Sequence, residues 1–268
     1  MSSNQTTIHK TSIVETGAKL GKNVSIGPFC IIGKDVVLGD NTHLHSHIVI
    51  NGKTTLGTNN EVFPFAILGS KPLDKKYNKE PSQLIIGNNN QIREHVSITL
   101  GTKGGGMITR IGNDGLLMNG VHISHDTQVG DGVILVSNVT LGGHVMIGDY
   151  AIVGGMAAVH QFVRIGEHAI VGGASRVVDD VPPFTLVNSP NATMQGLNLL
   201  GLKRQGIDNQ QIKSLQKNLY YLFSKKDPSA KTLNEKLHHL EKDENKLMQI
   251  LVKFLQNRTH RGIANADF

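Results

Sequence analysis

From Ile8 onward an aliphatic residue recurs at every sixth position: Ile8, Val14, Leu20, Ile26, Ile32, Leu38, Leu44, Ile50, Leu56, Val62 and Leu68. The beat resumes at Ile86, Ile92 and Ile98, slips by one residue, and runs again from Ile111 and Leu117 through Ile123 to Val177. Glycine follows the aliphatic residue in many units, as at Gly21, Gly27 and Gly142, and two places before it the residue is often small or β-branched. Helices repeat near 3.6 residues and hairpin strands alternate by two, so neither produces this period. It predicts a solenoid of short parallel strands, each turning one aliphatic side chain inward. The turns between them need positive φ, which glycine or asparagine supplies. Three strands close a coil of 18 residues, and successive coils stack ~4.8 Å apart.

Two segments break the rhythm. Residues 70–84 keep the phase but carry Asp74 and Glu80 where aliphatics are due, and residues 99–110 hold the one-residue slip and a Gly-Gly-Gly run. Both read as loops thrown out from a prism, the first basic (Lys71, Lys75, Lys76, Lys79) and a candidate for function, the second flexible and exposed. After Val177 the beat stops, and Pro182-Pro183 marks the exit. The division is therefore residues 1–190 as the solenoid and 191–268 as a C-terminal helical domain. Asp208 is an N-cap for a helix with Ile212, Leu215, Leu219 and Leu222 on one face, and Asp227-Pro228-Ser229 breaks it. Helical stretches follow near 232–241 and 243–257, the latter with Leu247, Ile250, Leu251 and Phe254 apolar, and the tail after Asn257 reads as frayed.

Composition agrees with a repetitive architecture: 30 glycines, no tryptophan, and 4% aromatic residues in 268. The net charge of +6 points to an anionic partner or substrate, but the basic residues are scattered without an aromatic platform, which argues against nucleic acid. Lys203, Arg204, Lys213 and Lys217 form a candidate docking face for an acidic protein. Cys30 is the lone cysteine, so no intrachain disulfide forms and a reducing compartment is expected. The N-terminus lacks an apolar signal core, and no apolar run reaches the ~20 residues of a membrane span; the expected location is cytoplasmic.

Off the beat stand His122, His125, Asp126, His144, His160 and Gln161. Residues 18 apart stack, so 125, 143 and 161 line one edge. Histidines on one edge allow a metal site or a general base. A metal needs rings converging within ~2.1 Å of one ion, which vertical stacking on one subunit does not favour. A base needs one imidazole with a partner, and Asp126 stands beside His125; adjacent side chains share a side only at a turn. His43, His45, His47, His168, His238 and His239 read as exposed polar side chains on a β face or helix.

The beat over residues 8–177, LLMNGVHISHD at 116–126, GGMAAVHQF at 154–162, DVPPF at 180–184 and NLLGLKR at 198–204 together resemble the acyl-[acyl-carrier-protein]–UDP-N-acetylglucosamine O-acyltransferase family over nearly the whole chain. The resemblance implies a left-handed parallel β-helix, a homotrimer with active sites between subunits, and the first step of lipid A synthesis in a Gram-negative bacterium. A 3-hydroxyacyl chain would pass from the phosphopantetheine of acyl carrier protein to the sugar's 3-position, with no other cofactor and no metal. His125 then matches the general base, Asp126 its orienting partner and the Gly143 N–H the oxyanion donor. Asp74 and Lys76 match loop contacts to the sugar, while His122, His144, His160 and Gln161 match pocket positions. Asn198 and Arg204 match residues near the diphosphate and carrier end, and Gly173 matches the acyl-chain ruler, its open groove implying a chain near 14 carbons. Leu73, Asn191 and Leu200 depart from the family pattern, which leaves open whether the accepting group is a 3-hydroxyl or a 3-amine. The alternatives are the pathway's later N-acyltransferase, which normally carries an extra N-terminal domain, a zinc lyase of the γ-carbonic anhydrase kind, and a non-catalytic solenoid.

Overall fold

The computed structural model describes residues 5–224 and 232–268. The aliphatic beat closes into a three-sided prism with one sheet on each side, of eleven, nine and eight strands among the described residues, all parallel except for one terminal pair. Most strands are two residues long, and the ladder joins residues one coil apart, as Ser25 to His43 and Ile26 to Leu44. The two excursions lengthen their coils and the ladder resumes around them, Glu61 pairing with Gln91 and Gln91 with Leu116, with one register shift between Leu68 and Ser70 where the first departs. Ile32, Leu38, Leu44, Ile50, Ile98, Ile123 and Val153 are at most 1% exposed and share one continuous core. Burying each such side chain stabilises by about 1.5–3 kcal/mol relative to exposure. Val24, Val36, Ala66 and Val133, two places before the beat, are fully buried at the corners and add to the same close-packed core.

The glycines after the beat do a different job from the expected one. A Cβ on Gly27 would run into the carbonyl of His45 one coil on, and one on Gly142 would lie 2.7 Å from the Gln161 nitrogen. Close stacking of coils requires them, with positive φ an added demand at Gly69, where φ is 73°. The left-handed conformation falls instead two residues later, at Asn23, Phe29, Asn41, His47, Asp126, His144 and Phe162, all with φ between 56° and 65°. Asparagines there also pair up the edge: Asn23 donates to Asn41 and Asn41 to Asn59, each at 3.0 Å. Those bonds offset part of the cost of a left-handed residue with a Cβ.

The eleven-stranded sheet ends in an antiparallel pair, Thr185–Asn188 with Thr193–Leu197, and Phe184 fills the end of the prism with no exposed surface. Among the described residues four helices follow: α1 (Leu199–Arg204), α2 (Asn209–Phe223), α3 (Leu233–Leu240) and α4 (Lys246–Gln256). Asp208 caps α2 by accepting from the N–H groups of Gln210 and Gln211, and the helix buries Ile212, Leu215, Leu219 and Leu222. The Asp227-Pro228-Ser229 break lies outside the described residues. α4 buries Leu247, Met248, Leu251, Val252 and Leu255, while Ile250 and Phe254, read as part of that face, are half-buried. The Phe254 ring lies under the guanidinium of Arg164, 4.2 Å away, and Arg164 pairs with Asp180 at 2.8 Å, which ties α4 to the prism. The tail is not frayed. Ile263 bridges to Asp180 and Ala266 to Met194, and Ala264 N–H donates to the Asp180 carbonyl at 2.9 Å. A short run of backbone bonds outweighs the polar composition of that segment.

Candidate active site

His125 and Asp126 occupy the turn after the strand His122–Ile123, where Ile123 points inward and Asp126 takes φ 60°. The left-handed residue swings two neighbouring side chains onto one side, leaving Asp126 Oδ2 2.9 Å from His125 Nδ1. The Asp126 side chain has no exposed surface, whereas His125 keeps 14% of its own. Both carboxylate oxygens are held: Oδ1 accepts from the Thr102 N–H at 2.8 Å, and Oδ2 also accepts from the Thr102 hydroxyl at 2.6 Å. The Asp126 N–H donates to the Thr109 hydroxyl at 2.8 Å. With Thr102 donating to both carboxylate oxygens, the contact to His125 is best made by an N–H on the ring. The His125 proton therefore sits on Nδ1 and the Nε2 lone pair faces outward.

The segment 99–110, expected to be a flexible exposed loop, is the roof over that carboxylate. Its short 3₁₀ turn, Lys103–Gly105, brings Gly105 so close that a Cβ there would collide with the Asp126 carboxyl group. Glu80, from the other excursion, accepts from the Lys103 N–H at 3.0 Å and anchors the turn.

One rung on, Gly143 lies against the His125 ring; a Cβ there would sit 2.6 Å from Cε1. On a different edge of the prism, the N–H in the equivalent place is consumed by a side chain from the next coil. Lys22 donates to Asp40 and Thr58 to Asn88, both at 2.7 Å. Among the described residues the Gly143 N–H has no such acceptor, leaving a free donor beside the histidine. His144 donates its N–H to the His125 carbonyl at 3.0 Å and sets its ring edge-on to His125, centroids 5.1 Å apart. Its other face stacks on Phe162 at 4.4 Å. Burial pushes the His144 pKa below the ordinary histidine range, with the Asp126 charge opposing, so the ring is biased toward neutrality.

The His122 ring is spanned by two hydroxyls, Ser97 at 2.7 Å and Ser124 at 3.2 Å, and burial lowers its pKa too. His160 and Gln161 are exposed, and Arg261 from the tail donates to His160 Nδ1 at 2.6 Å. In the first excursion, the Asp74 carboxylate accepts from the Lys76 N–H at 2.9 Å, and its charge reaches His144; the Lys76 side chain is exposed. Gly173 is exposed, and a Cβ on it would meet the Gly155 carbonyl at 3.2 Å. Asn198 is buried and caps α1, its Oδ1 accepting from Gly201 N–H at 2.9 Å while Nδ2 donates to the His168 carbonyl at 2.8 Å. That amide is committed to the fold. Arg204 is exposed in the last turn of α1.

His122, His125, Asp126, Gly143 and His144 thus come together, with Asp74 within electrostatic reach, while Gly173, Asn198 and Arg204 stand toward the C-terminal end. Unforeseen participants are Thr102, Thr109, Phe162 and His260, whose ring meets Phe162 edge-on at 5.1 Å. A cavity of about 500 Å³ opens beside Asp126, His144, Phe162 and His260. Ligating atoms of His125, Asp126 and His144 lie within 4.8 Å of one another, closer than vertical stacking suggested. Both Asp126 oxygens are already engaged, so the arrangement serves an imidazole base better than a metal ion.

A family model described as UDP N-acetylglucosamine O-acyltransferase, domain 2, matches residues 180–264. The acyl-[acyl-carrier-protein]–UDP-N-acetylglucosamine O-acyltransferase of Rickettsia canadensis is 50% identical over 260 residues, covering 97% of this chain and 98% of the relative. Its namesake in Rickettsia typhi is 60% identical over 201 residues, 75% of this chain and 76% of its own. The crystal structure of UDP-N-acetylglucosamine O-acyltransferase from Moraxella catarrhalis superposes with a TM-score of 0.91 at 39% identity, covering 96% of this chain and 99% of that one.

Proposed function

The chain belongs to the acyl-[acyl-carrier-protein]–UDP-N-acetylglucosamine O-acyltransferase family, whose fold is a left-handed parallel β-helix, and from that premise we propose how its residues carry out the transfer. The protein is an acyltransferase that moves an acyl chain from acyl carrier protein to UDP-N-acetylglucosamine, the first step of lipid A biosynthesis.

His125 Nε2 takes the proton of the sugar 3-hydroxyl as that oxygen attacks the thioester carbonyl of a 3-hydroxyacyl chain. Asp126 keeps the other ring proton on Nδ1 and stabilises the imidazolium that forms. The oxyanion of the tetrahedral intermediate lies against the Gly143 N–H. Collapse breaks the carbon–sulfur bond, and the imidazolium returns its proton to the phosphopantetheine thiolate. The products are the 3-O-acylated nucleotide sugar and the free carrier thiol. Neutral His122 and His144, with Asp74, Lys76, His160 and Gln161, line the sugar and thioester approach. Arg204 meets phosphate oxygens, for which a guanidinium is suited. Asn198 contributes by fixing the start of α1. Gly173 leaves the acyl groove open for a chain near 14 carbons. The solenoid, with its closing strand pair Thr185–Asn188 and Thr193–Leu197, is the catalytic part, and the helices after it receive acidic acyl carrier protein.

The observation that carries this reading is the His125–Asp126 contact, with its carboxylate fully buried and the opposite ring nitrogen left to solvent. A homotrimer completes the site. Supporting it, Ile13, Ile31 and Ile67 on the nine-stranded sheet and Phe29 and Phe65 beside it are 39–58% exposed, an apolar stripe suited to a second copy. No described helix is long and apolar enough to cross a membrane. We place the reaction in the cytoplasm of a Gram-negative bacterium, where nucleotide sugars and acyl carrier protein meet. The test offers UDP-N-acetylglucosamine and 3-hydroxyacyl carrier proteins of several lengths and identifies the product by mass. The expected product is an ester at the 3-oxygen; transfer only to a 3-amino sugar would overturn the acceptor assignment.

A further inference from the structure

His43 and His45 flank the inward Leu44 at the end of one short strand, so both rings project outward. Glu61 stands directly opposite His43 on the next rung of the same sheet. The three side chains converge. His45 Nε2 lies 2.9 Å from Glu61 Oε1, the His43 ring meets the His45 ring edge-on with centroids 4.4 Å apart, and one ligating atom from each falls within 4.8 Å of the others. The His45 ring is held in place by stacking on Phe63 at 4.6 Å, and Phe63 is covered in turn by the Arg93 guanidinium at 4.1 Å. Such support fixes ring orientation before any ligand arrives. His45 and Glu61 keep 34% and 41% of their side-chain surface, so the cluster is open to solvent.

We propose that His43, His45 and Glu61 form a zinc-binding site on the outer face of the prism, separate from the reaction centre. Two imidazoles and a carboxylate make a donor set that zinc takes readily, with solvent in the fourth position. Each ligand must present a lone pair. The hydrogen bond from His45 to Glu61 is exchanged for two bonds to the ion. Along the eleven-stranded sheet, this rung lies three steps before the one that leads into His125, or ~14 Å along the axis. A zinc ion here would staple two consecutive coils together, and acyl transfer would not need it.

The test titrates zinc chloride into tag-free, chelator-stripped, full-length protein in a non-chelating buffer, followed by calorimetry and metal analysis. Wild type is expected to bind one equivalent per chain at this site. His43→Ala, His45→Gln and Glu61→Gln should each weaken that binding ~10-fold or more, as loss of one of three ligands requires. The surface variants should keep wild-type circular dichroism and acyl transfer, and His125→Ala should keep the zinc. Absence of zinc binding by wild type, or binding unchanged in all three surface variants, overturns the proposal. Zinc binding lost on His125→Ala and kept in His43→Ala moves the ion to the reaction centre and overturns it as well.

Discussion

Thr102 holds both oxygens of Asp126, its N–H 2.8 Å from Oδ1 and its hydroxyl 2.6 Å from Oδ2, although the residues are 24 positions apart. The same Oδ2 receives His125 Nδ1, so the hydroxyl and the imidazole share one acceptor. Replacing Thr102 by valine keeps the shape and the backbone bond and removes one donor from a buried charge, a change of about 1.5–3 kcal/mol. Thr102→Val is expected to lower kcat by ~10-fold or more while KM changes little, because the imidazole orientation, not substrate contact, is affected. A change confined to KM would place Thr102 in substrate binding instead.

His125→Ala removes the base and leaves the core untouched, since the ring sits outside the inward beat. Turnover should fall by at least ~10²-fold, the lower range for loss of a general base, with an unchanged thermal midpoint. Near-wild-type turnover measured with saturating acyl carrier protein substrate would remove His125 from the role.

Gly143 faces the same ring from the next coil, and its φ lies outside the left-handed region, so an alanine meets no backbone strain there. Its Cβ would stand 2.6 Å from His125 Cε1. The imidazole is the mobile partner and must move. Gly143→Ala is therefore expected to fold normally and lose activity ~10-fold or more through the displaced base. A fully active Gly143→Ala protein would show that the ring has room to spare.

The inward register of the prism was legible because each coil repeats the same demand for one aliphatic residue per side, and Ile32, Leu38 and Leu44 obey it without exception. The pairing of His125 with Asp126 was legible as a possibility, since it depends on a turn geometry that only the left-handed φ of Asp126 settles. Thr102 was not. It reaches Asp126 across the seam where residues 99–110 leave the repeat, and counting by 18 fails as soon as a coil carries an insertion. Sequence also does not separate Gly27 from Gly69, since the first answers to coil stacking and the second sits at positive φ, while both leave the same mark. Arg261 on His160 was invisible for a third reason: a polar tail reads as frayed unless its backbone partners are known.

Acid should weaken the fold partly through His122. Burial lowers its folded pKa below the unfolded value, so the unfolded chain binds more protons as pH drops through the ordinary histidine range. Its contribution is fully present above the unfolded pKa and is lost as pH falls toward the depressed folded value. Urea midpoints measured from pH 7.5 down to 5.5 should decline, and His122→Gln should decline less steeply. Parallel declines in the two proteins would show that His122 does not titrate differently on unfolding.

Gly173 lies on the edge that also carries Gly155, where a Cβ would approach the Gly155 carbonyl to 3.2 Å. That distance is tight but passable, and nothing else crowds the position, so a longer side chain would project outward along the edge instead of wrecking the coil. If an acyl chain lies there, methionine at 173 fills the space its terminal carbons need. Each methylene denied an apolar contact costs the longer donor about 0.8 kcal/mol, roughly a fourfold change in kcat/KM. Gly173→Met should therefore shift preference toward donors shorter by several carbons, measured as the ratio of kcat/KM for a 14-carbon and a 10-carbon 3-hydroxyacyl carrier protein. An unchanged ratio in a stable variant would mean that the chain end lies elsewhere on the prism.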